Sequence, residues 1–343
     1  MKYSGLSGLK AAIVSLSLFA TTSSVFATTS SVFATTFSVF ASSSSSFTSS
    51  SSAIPANDNV TTTRQRSFAK TVPAGDYSGI AWLGGDKYAV VSDKSANEGF
   101  YIFTIDIDSV TGNIRNVVCE DFVECDKGNR DLEGIAWMPE RGWILMCGEK
   151  DNIIRAYNRN GKSIGVDIPK HIAHTNLPGN SGLESLSYNA ATKRLWTCNE
   201  AAPITLVAYD DAFNIRESYS YAMDAPKKDG TKAAAYAHGV SEVCAMDDGS
   251  LLVLEREFYV PKAKIGSSVV CKLYRYNPSK QQKSLVEEWK TRLNLLARSL
   301  ANYEGMCLGP RLADGRRVVV MIADSQSQYK GILKDWLRTI CIE

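Results

Sequence analysis

Histidine is scarce: the 343 residues contain three, and none of the eight cysteines forms a C-x-x-C pair. That excludes a zinc site built on that motif, and the missing H-E-x-x-H excludes the corresponding metalloprotease. No nucleophile elbow, Walker loop, dinucleotide fingerprint or EF-hand loop is legible either. No acidic residue precedes Asp58, and no cysteine precedes Cys119, which argues against a lipoprotein anchor. Ten prolines and 24 glycines are too few for a collagen-like or linker protein. An excess of one charge is also missing. Basic residues number 38 and acidic residues 36, and Lys2 and Lys10 lie in a segment expected to be removed. The remainder balances at 36 against 36, so no generic nucleic-acid partner is expected. What is present is 44% apolar residues and 15 tyrosines, which a disordered chain would not carry.

The N-terminus reads as an address. Lys2 and Lys10 precede the apolar stretch Ala11–Ala20, which is too short and serine-interrupted to span a bilayer. A basic start, an apolar centre and small residues predict a secretory signal over residues 1–27. Val25 and Ala27 fit the cleavage rule, and the tandem repeats TTSSVFA, TTSSVFA and TTFSVFA offer Ala34 and Ala41 as well. Residues 28–62 follow as a Ser/Thr-rich tether, and residues 63–343 as the folded domain. The reading is of an exported protein, periplasmic or secreted, with no membrane span after cleavage. Export opens the question of disulfides. Cys119 and Cys125 are close enough to close a small loop, while the other six cysteines lie in apolar runs that suit buried thiols.

Long amphipathic helices are nearly absent, Ser284–Leu300 being the best candidate for a helix or an irregular strand pair. Short β-branched and aromatic runs dominate instead, and a repeat emerges among them. YSGIAW begins at Tyr77, LEGIAW at Leu132, LESLSY at Leu183, SEVCAM at Ser241 and YEGMCL at Tyr303. Each is followed by a turn and a second apolar strand. A strand-rich unit recurring at about this length predicts the four-stranded blades of an all-β propeller. The count predicts five blades, with six as the alternative if 267–300 hides a degenerate one. The last unit is one strand short. Residues 66–72 are expected to supply that strand and close the ring, which removes exposed sheet edges.

The repeat carries acids at two points. The second position of each first strand is Ser78, Glu133, Glu184, Glu242 or Glu304, and each second strand ends in Asp93, Glu149, Glu200, Glu255 or Asp324. Inner strands of a propeller line one channel, so clustered carboxylates there need protons or a cation. A hard cation with oxygen ligands, Ca²⁺ rather than Mg²⁺, suits Ser78, Glu133, Glu184, Glu242 and Glu304 as ligands. The second set is expected at the same channel mouth with Lys94, Lys150, Arg130, Arg256 and His238. Cation, carboxylates and basic groups together describe a site for a small anionic ester or phosphoester. Glu304, Glu133 and His238 are the candidate catalytic groups, and the Lys, Arg and second-strand acids the candidate substrate contacts.

The segments YSGIAWLGGDKYAVVSDK, DLEGIAW, GLESLSYN, LLVLEREF and NYEGMCLGPRLADGRRVVVMIADSQSQ resemble the exported bacterial proteins of the esterase-like or phytase-like β-propeller family. That resemblance covers about residues 70–330 and implies a secreted or periplasmic propeller with hydrolase activity on esters or phosphoesters. The Ser and Glu ring is also similar by role to that of the calcium-activated apyrases, five-bladed propellers with a central Ca²⁺. The expectation is a Ca²⁺-dependent ester or phosphoester hydrolase. The alternatives are a non-catalytic binding propeller with a structural cation and, third, a lactonase.

Overall fold

The computed structural model describes residues 60–177, 182–296, 298–325 and 333–343. The expected signal, its three cleavage sites and nearly all of the tether lie outside the described residues. Two short strands come first, β1 (Thr61–Thr62) and β2 (Arg66–Ser67). The first blade is β3 (Tyr77–Gly84), β4 (Lys87–Ser92), β5 (Asn97–Ile107) and β6 (Ile114–Gly128). The second is β7 (Leu132–Met138), β8 (Trp143–Gly148), β9 (Ile153–Asn158) and β10 (Ser163–Ile168). The third is β11 (Leu183–Asn189), β12 (Arg194–Asn199), β13 (Ile204–Tyr209) and β14 (Ile215–Tyr221). The fourth is β15 (Ala233–Ala245), β16 (Leu251–Pro261), β17 (Ser267–Asn277) and β18 (Gln282–Leu293). The fifth is β19 (Asn302–Arg311), β20 (Arg317–Asp324) and β21 (Trp336–Ile342), completed by β1 and β2.

Each blade is an antiparallel meander, and β3, β7, β11, β15 and β19 pack side by side around a ring that closes between β19 and β3. The protein is a five-bladed β-propeller. The segment that might have hidden a sixth blade is β17 and β18, and no helix forms among the described residues of Ser284–Leu300. No helix among the described residues is long and apolar enough to cross a membrane.

Alternation along the strands explains the packing, because each blade has two faces and both are covered by neighbours. The apolar cores accordingly lie between blades. Tyr77, Tyr88 and Phe103 of the first blade meet Val318, Val320 and Ile322 of the fifth. Leu145, Ile154 and Ala156 of the second meet Leu186, Leu195 and Val207 of the third. Each fully buried aliphatic or aromatic side chain contributes about 1.5–3 kcal/mol.

Closure by the N-terminus holds, one turn earlier in the chain than expected. Thr61 and Thr62 pair with Cys341 and Ile340, and Arg66 and Ser67 with Leu337 and Trp336. Phe68–Val72 turns away, with Val72 buried in the core shared by the fifth and first blades. The intervening Thr63 exchanges hydroxyl and backbone hydrogen bonds with Thr339, so the threonines at the end of the predicted tether belong to the blade. All eight cysteines are free thiols, including Cys119 and Cys125 on the same strand β6.

Candidate active site at the acidic channel mouth

A β-bulge marks the same place in every blade. Tyr77 pairs with Ser92 and Gly79 with Val91, which leaves Ser78 without a partner across the ladder. By the same test Glu133, Glu184 and Glu304 are the bulged residues of their strands. In the fourth blade Val240 pairs with Glu255 and Glu242 with Leu254, so the bulged residue is Ser241. The ring at the mouth is therefore Ser78, Glu133, Glu184, Ser241 and Glu304. Glu242 is displaced from it by one residue.

That slip changes what Glu242 does. It takes the place held by Gly79, Gly134, Ser185 and Gly305 in the other blades, where neighbouring blades approach closely. A Cβ on Gly134 would stand 2.7 Å from the backbone nitrogen of Leu186. The Glu242 carboxylate is 1% exposed and accepts the N–H of Val243 at 3.0 Å. It also accepts backbone N–H groups of Leu186 in the third blade and Met306 in the fifth. Burial pushes its pKa well above the usual carboxylate range, and these N–H groups oppose that rise.

The second strands show the same slip. The residues after Ser92, Gly148, Asn199 and Ala323 are Asp93, Glu149, Glu200 and Asp324, but the residue after Glu255 is Arg256. The mouth thus holds an arginine where the repeat elsewhere has an acid. Glu255 points to the other face of its blade. There it accepts from Tyr221 Oη at 2.7 Å, Lys283 Nζ at 2.6 Å and the backbone nitrogen of Asp224 at 3.0 Å.

Arg256, 6% exposed, organises one side of the mouth. It donates to Glu200 Oε1 at 2.6 Å, to Asn302 Oδ1 at 2.8 Å and to Glu304, and its Nη2 lies 3.7 Å from Glu184. Asn302, which the repeat did not single out, also donates to Glu304 at 2.7 Å. Burial pushes the Glu304 carboxyl up to about 7, with Arg256 pulling down and Asp93 and Glu200 pushing up. Burial and repulsion by Glu200 raise Glu184 against the same guanidinium.

The other side has no buried arginine; its cation among the described residues is the exposed Lys94, which pairs with Asp93 and acts on Glu133 and Glu149. Glu133 is buried, and its carboxylate makes no hydrogen bond or ion pair with a described residue. Burial, then Glu184, Asp93, Glu304 and Glu149, push its pKa well above the usual carboxylate range. Asp93 is raised chiefly by burial; Lys94 pairs with it, yet its Oδ1 is buried without a partner. Glu149 accepts from the Gly182 nitrogen at 3.2 Å and is raised by burial. Ser78 donates to the Leu132 carbonyl at 2.5 Å. Asp324 ends β20 beside Asn302 and is 6% exposed.

The remaining expected site residues stand apart. Arg130 is buried between the first two blades, donating to Glu98 at 2.7 and 3.1 Å and to Asp151 at 2.7 Å. Lys150 is exposed and pairs with Asp131 at 3.0 Å. His238 lies opposite Glu257 and lines a small recess with Glu255 and Lys272. Gly161–Gly165 spells G-x-S-x-G, but Ser163 opens the outer strand β10 and accepts from the Gly165 nitrogen at 3.2 Å. It is no strand-to-helix elbow.

No three His, Cys, Asp or Glu side chains among the described residues stand in metal-binding geometry. Glu184, Glu200 and Glu304 are turned onto Arg256. The donors left to a cation are Glu133, Asp93, Glu149 and the Ser78 hydroxyl, an all-oxygen set whose chemistry fits Ca²⁺.

No curated protein matches this sequence. Solved structures similar in shape include a streptogramin B lyase, at 12% identity over 82% of this chain and 98% of that one, with a TM-score of 0.38. The WD40 β-propeller domain of Doa1 matches at 10% identity over 82% and 97%, with a TM-score of 0.38. The tail fiber of Staphylococcus aureus phage P68 matches at 12% over 81% and 52%, with a TM-score of 0.41. At such values nothing is carried over from them. The model of a family described as "Phytase-like: Esterase-like activity of phytase" matches residues 72–326, from before β3 to the end of β20, and the chain belongs to that family.

Proposed function

We propose that this chain is an exported, Ca²⁺-dependent hydrolase of small anionic phosphoesters or carboxylic esters, working at the acidic mouth. The family supports hydrolysis. The observation that carries the cation is Glu133, 9% exposed and without a hydrogen bond to any described residue, facing Glu184, Asp93, Glu304 and Glu149. Such a group needs a proton or a positive charge beside it. Glu133, Asp93, Glu149 and Ser78 would hold the ion, which when bound supplies polarisation of the ester oxygen. Glu304, tuned to about 7, holds or releases a proton at Oε near neutral pH, as a general acid–base does. Arg256 and Asn302 fix the orientation of that carboxyl. Lys94, exposed and paired with Asp93, is the cation that would turn to an anionic group of the substrate.

The test is hydrolysis of p-nitrophenyl phosphate, p-nitrophenyl butyrate and a γ-lactone, with EGTA and then with Ca²⁺ restored. Turnover that EGTA abolishes and Ca²⁺ returns, and that Glu304→Gln loses by about 100-fold or more, is expected on one of the first two. Cleavage of the lactone alone would make the protein a lactonase. No Ca²⁺-dependent turnover on any substrate would overturn the reading. It would favour the second one, a binding propeller, which rests on Arg256 already compensating three of the mouth carboxylates.

A further inference from the structure

The channel ends differently on the face away from the acids. Where β3, β7 and β11 leave it they present Trp82, Trp137 and Tyr188, each half-buried, at equivalent positions of their blades. With Leu83 and Leu308 these side chains wall a funnel of about 290 Å³, floored by Ile80, Ile135, Leu186 and Met306. That volume is near the lower end of small-molecule sites, which pair apolar walls with a few placed polar groups.

One cation among the described residues reaches this funnel. Arg317 enters from β20 with its side chain 17% exposed, and its guanidinium carbon lies 5.7 Å from the centre of the Trp82 ring. Asp247, which also lines the funnel, forms a long ion pair with it at 3.7 Å, beyond hydrogen-bond reach. Asp247 is already taken by Arg311 at 2.8 Å and Asn189 at 2.9 Å. The Arg317 guanidinium makes no hydrogen bond with a described residue, and its Nε is buried without a partner. A largely buried guanidinium with unmet donors is costly and is suited to a carboxylate.

We propose that this funnel binds a small carboxylic acid with an apolar, ring-sized body. The carboxylate meets the Arg317 guanidinium, and the body lies against Trp137, Tyr188 and Leu308. Cation and apolar wall are both needed, so the acid is favoured over its neutral alcohol. The site is distinct from the mouth, with Glu242 standing between them along the channel.

Isothermal titration of the full chain with 4-phenylbutyrate and with 4-phenylbutan-1-ol tests this. One-site binding of the acid tighter than about 1 mM is expected, with the alcohol about 10-fold weaker. Arg317→Gln should weaken the acid by about 10-fold and leave the alcohol unchanged, whereas Trp137→Leu should weaken both. No saturable binding of the acid, equal binding of acid and alcohol, or an undiminished acid affinity in Arg317→Gln would overturn the proposal. If near-ultraviolet circular dichroism shows Arg317→Gln misfolded, the acid-to-alcohol ratio and Trp137→Leu decide. Hydrolysis at the mouth is measured separately, so failure of one reading leaves the other standing.

Discussion

Metal-free protein should lose stability as the pH rises from about 5 to about 8, and Glu304 should carry a measurable part of that loss. Its carboxyl is raised from 4.5 to about 7 in the fold, chiefly by burial. Below pH 4.5 folded and unfolded states both hold the proton, and the group costs nothing. Between 4.5 and about 7 the folded state keeps a proton that the unfolded state releases, so stability falls as the pH rises. Above about 7 both states are ionised and the loss is complete. At about 1.4 kcal/mol per unit of pH, the loss is roughly 3 kcal/mol. Glu304→Gln keeps an oxygen acceptor for Arg256 and Asn302 but cannot ionise. Urea unfolding in EGTA across this pH range should therefore show the variant gaining on the native protein by roughly 3 kcal/mol from low to high pH. Parallel curves would refute the placement of a strained carboxyl at the mouth.

Three further outcomes follow from the same geometry. Arg256→Met leaves Glu184, Glu200 and Glu304 without their counter-charge; urea unfolding near pH 8 should show a loss of about 3–5 kcal/mol, smaller near pH 5 where Glu184 and Glu304 hold protons. Glu242→Ala deprives the N–H groups of Val243, Leu186 and Met306 of their acceptor, which costs about 1–3 kcal/mol per stranded donor and should appear as a lower Tm by calorimetry. Lys150→Ala removes only an exposed ion pair, so its unfolding free energy should stay within about 0.5 kcal/mol of native.

Much of this architecture was legible before the structure. Strand runs such as WILMCGE and RRVVVMIAD, bounded by Gly-containing turns, fall where β8 and β20 lie, and the repeat counts five blades. Three glutamates and one serine of the first ring stand where the repeat put them. The fourth blade misled because LLVLERE was matched by its first acid, Glu255, rather than by strand pairing. A bulge removes one residue from the ladder without a mark in the sequence. Matching Ala245 and Leu251 with Trp137 and Ile144, as the ladders pair, puts Ser241 in the ring and Arg256 at the mouth. Arg130 misled for another reason: its partner Glu98 is 32 positions away, on a neighbouring blade, and only tertiary packing joins them. Strand alternation turns His238 to the same face as Glu257, away from Arg256.

Thermal unfolding of the purified chain with and without EGTA, followed by Ca²⁺ readdition, tests the central claim most directly. A ligand that binds only the folded state raises the Tm. The cation reading predicts a lower Tm in EGTA that Ca²⁺ restores, with the shift lost in Glu133→Gln. An unchanged Tm in protein shown by elemental analysis to have been stripped of calcium would contradict it.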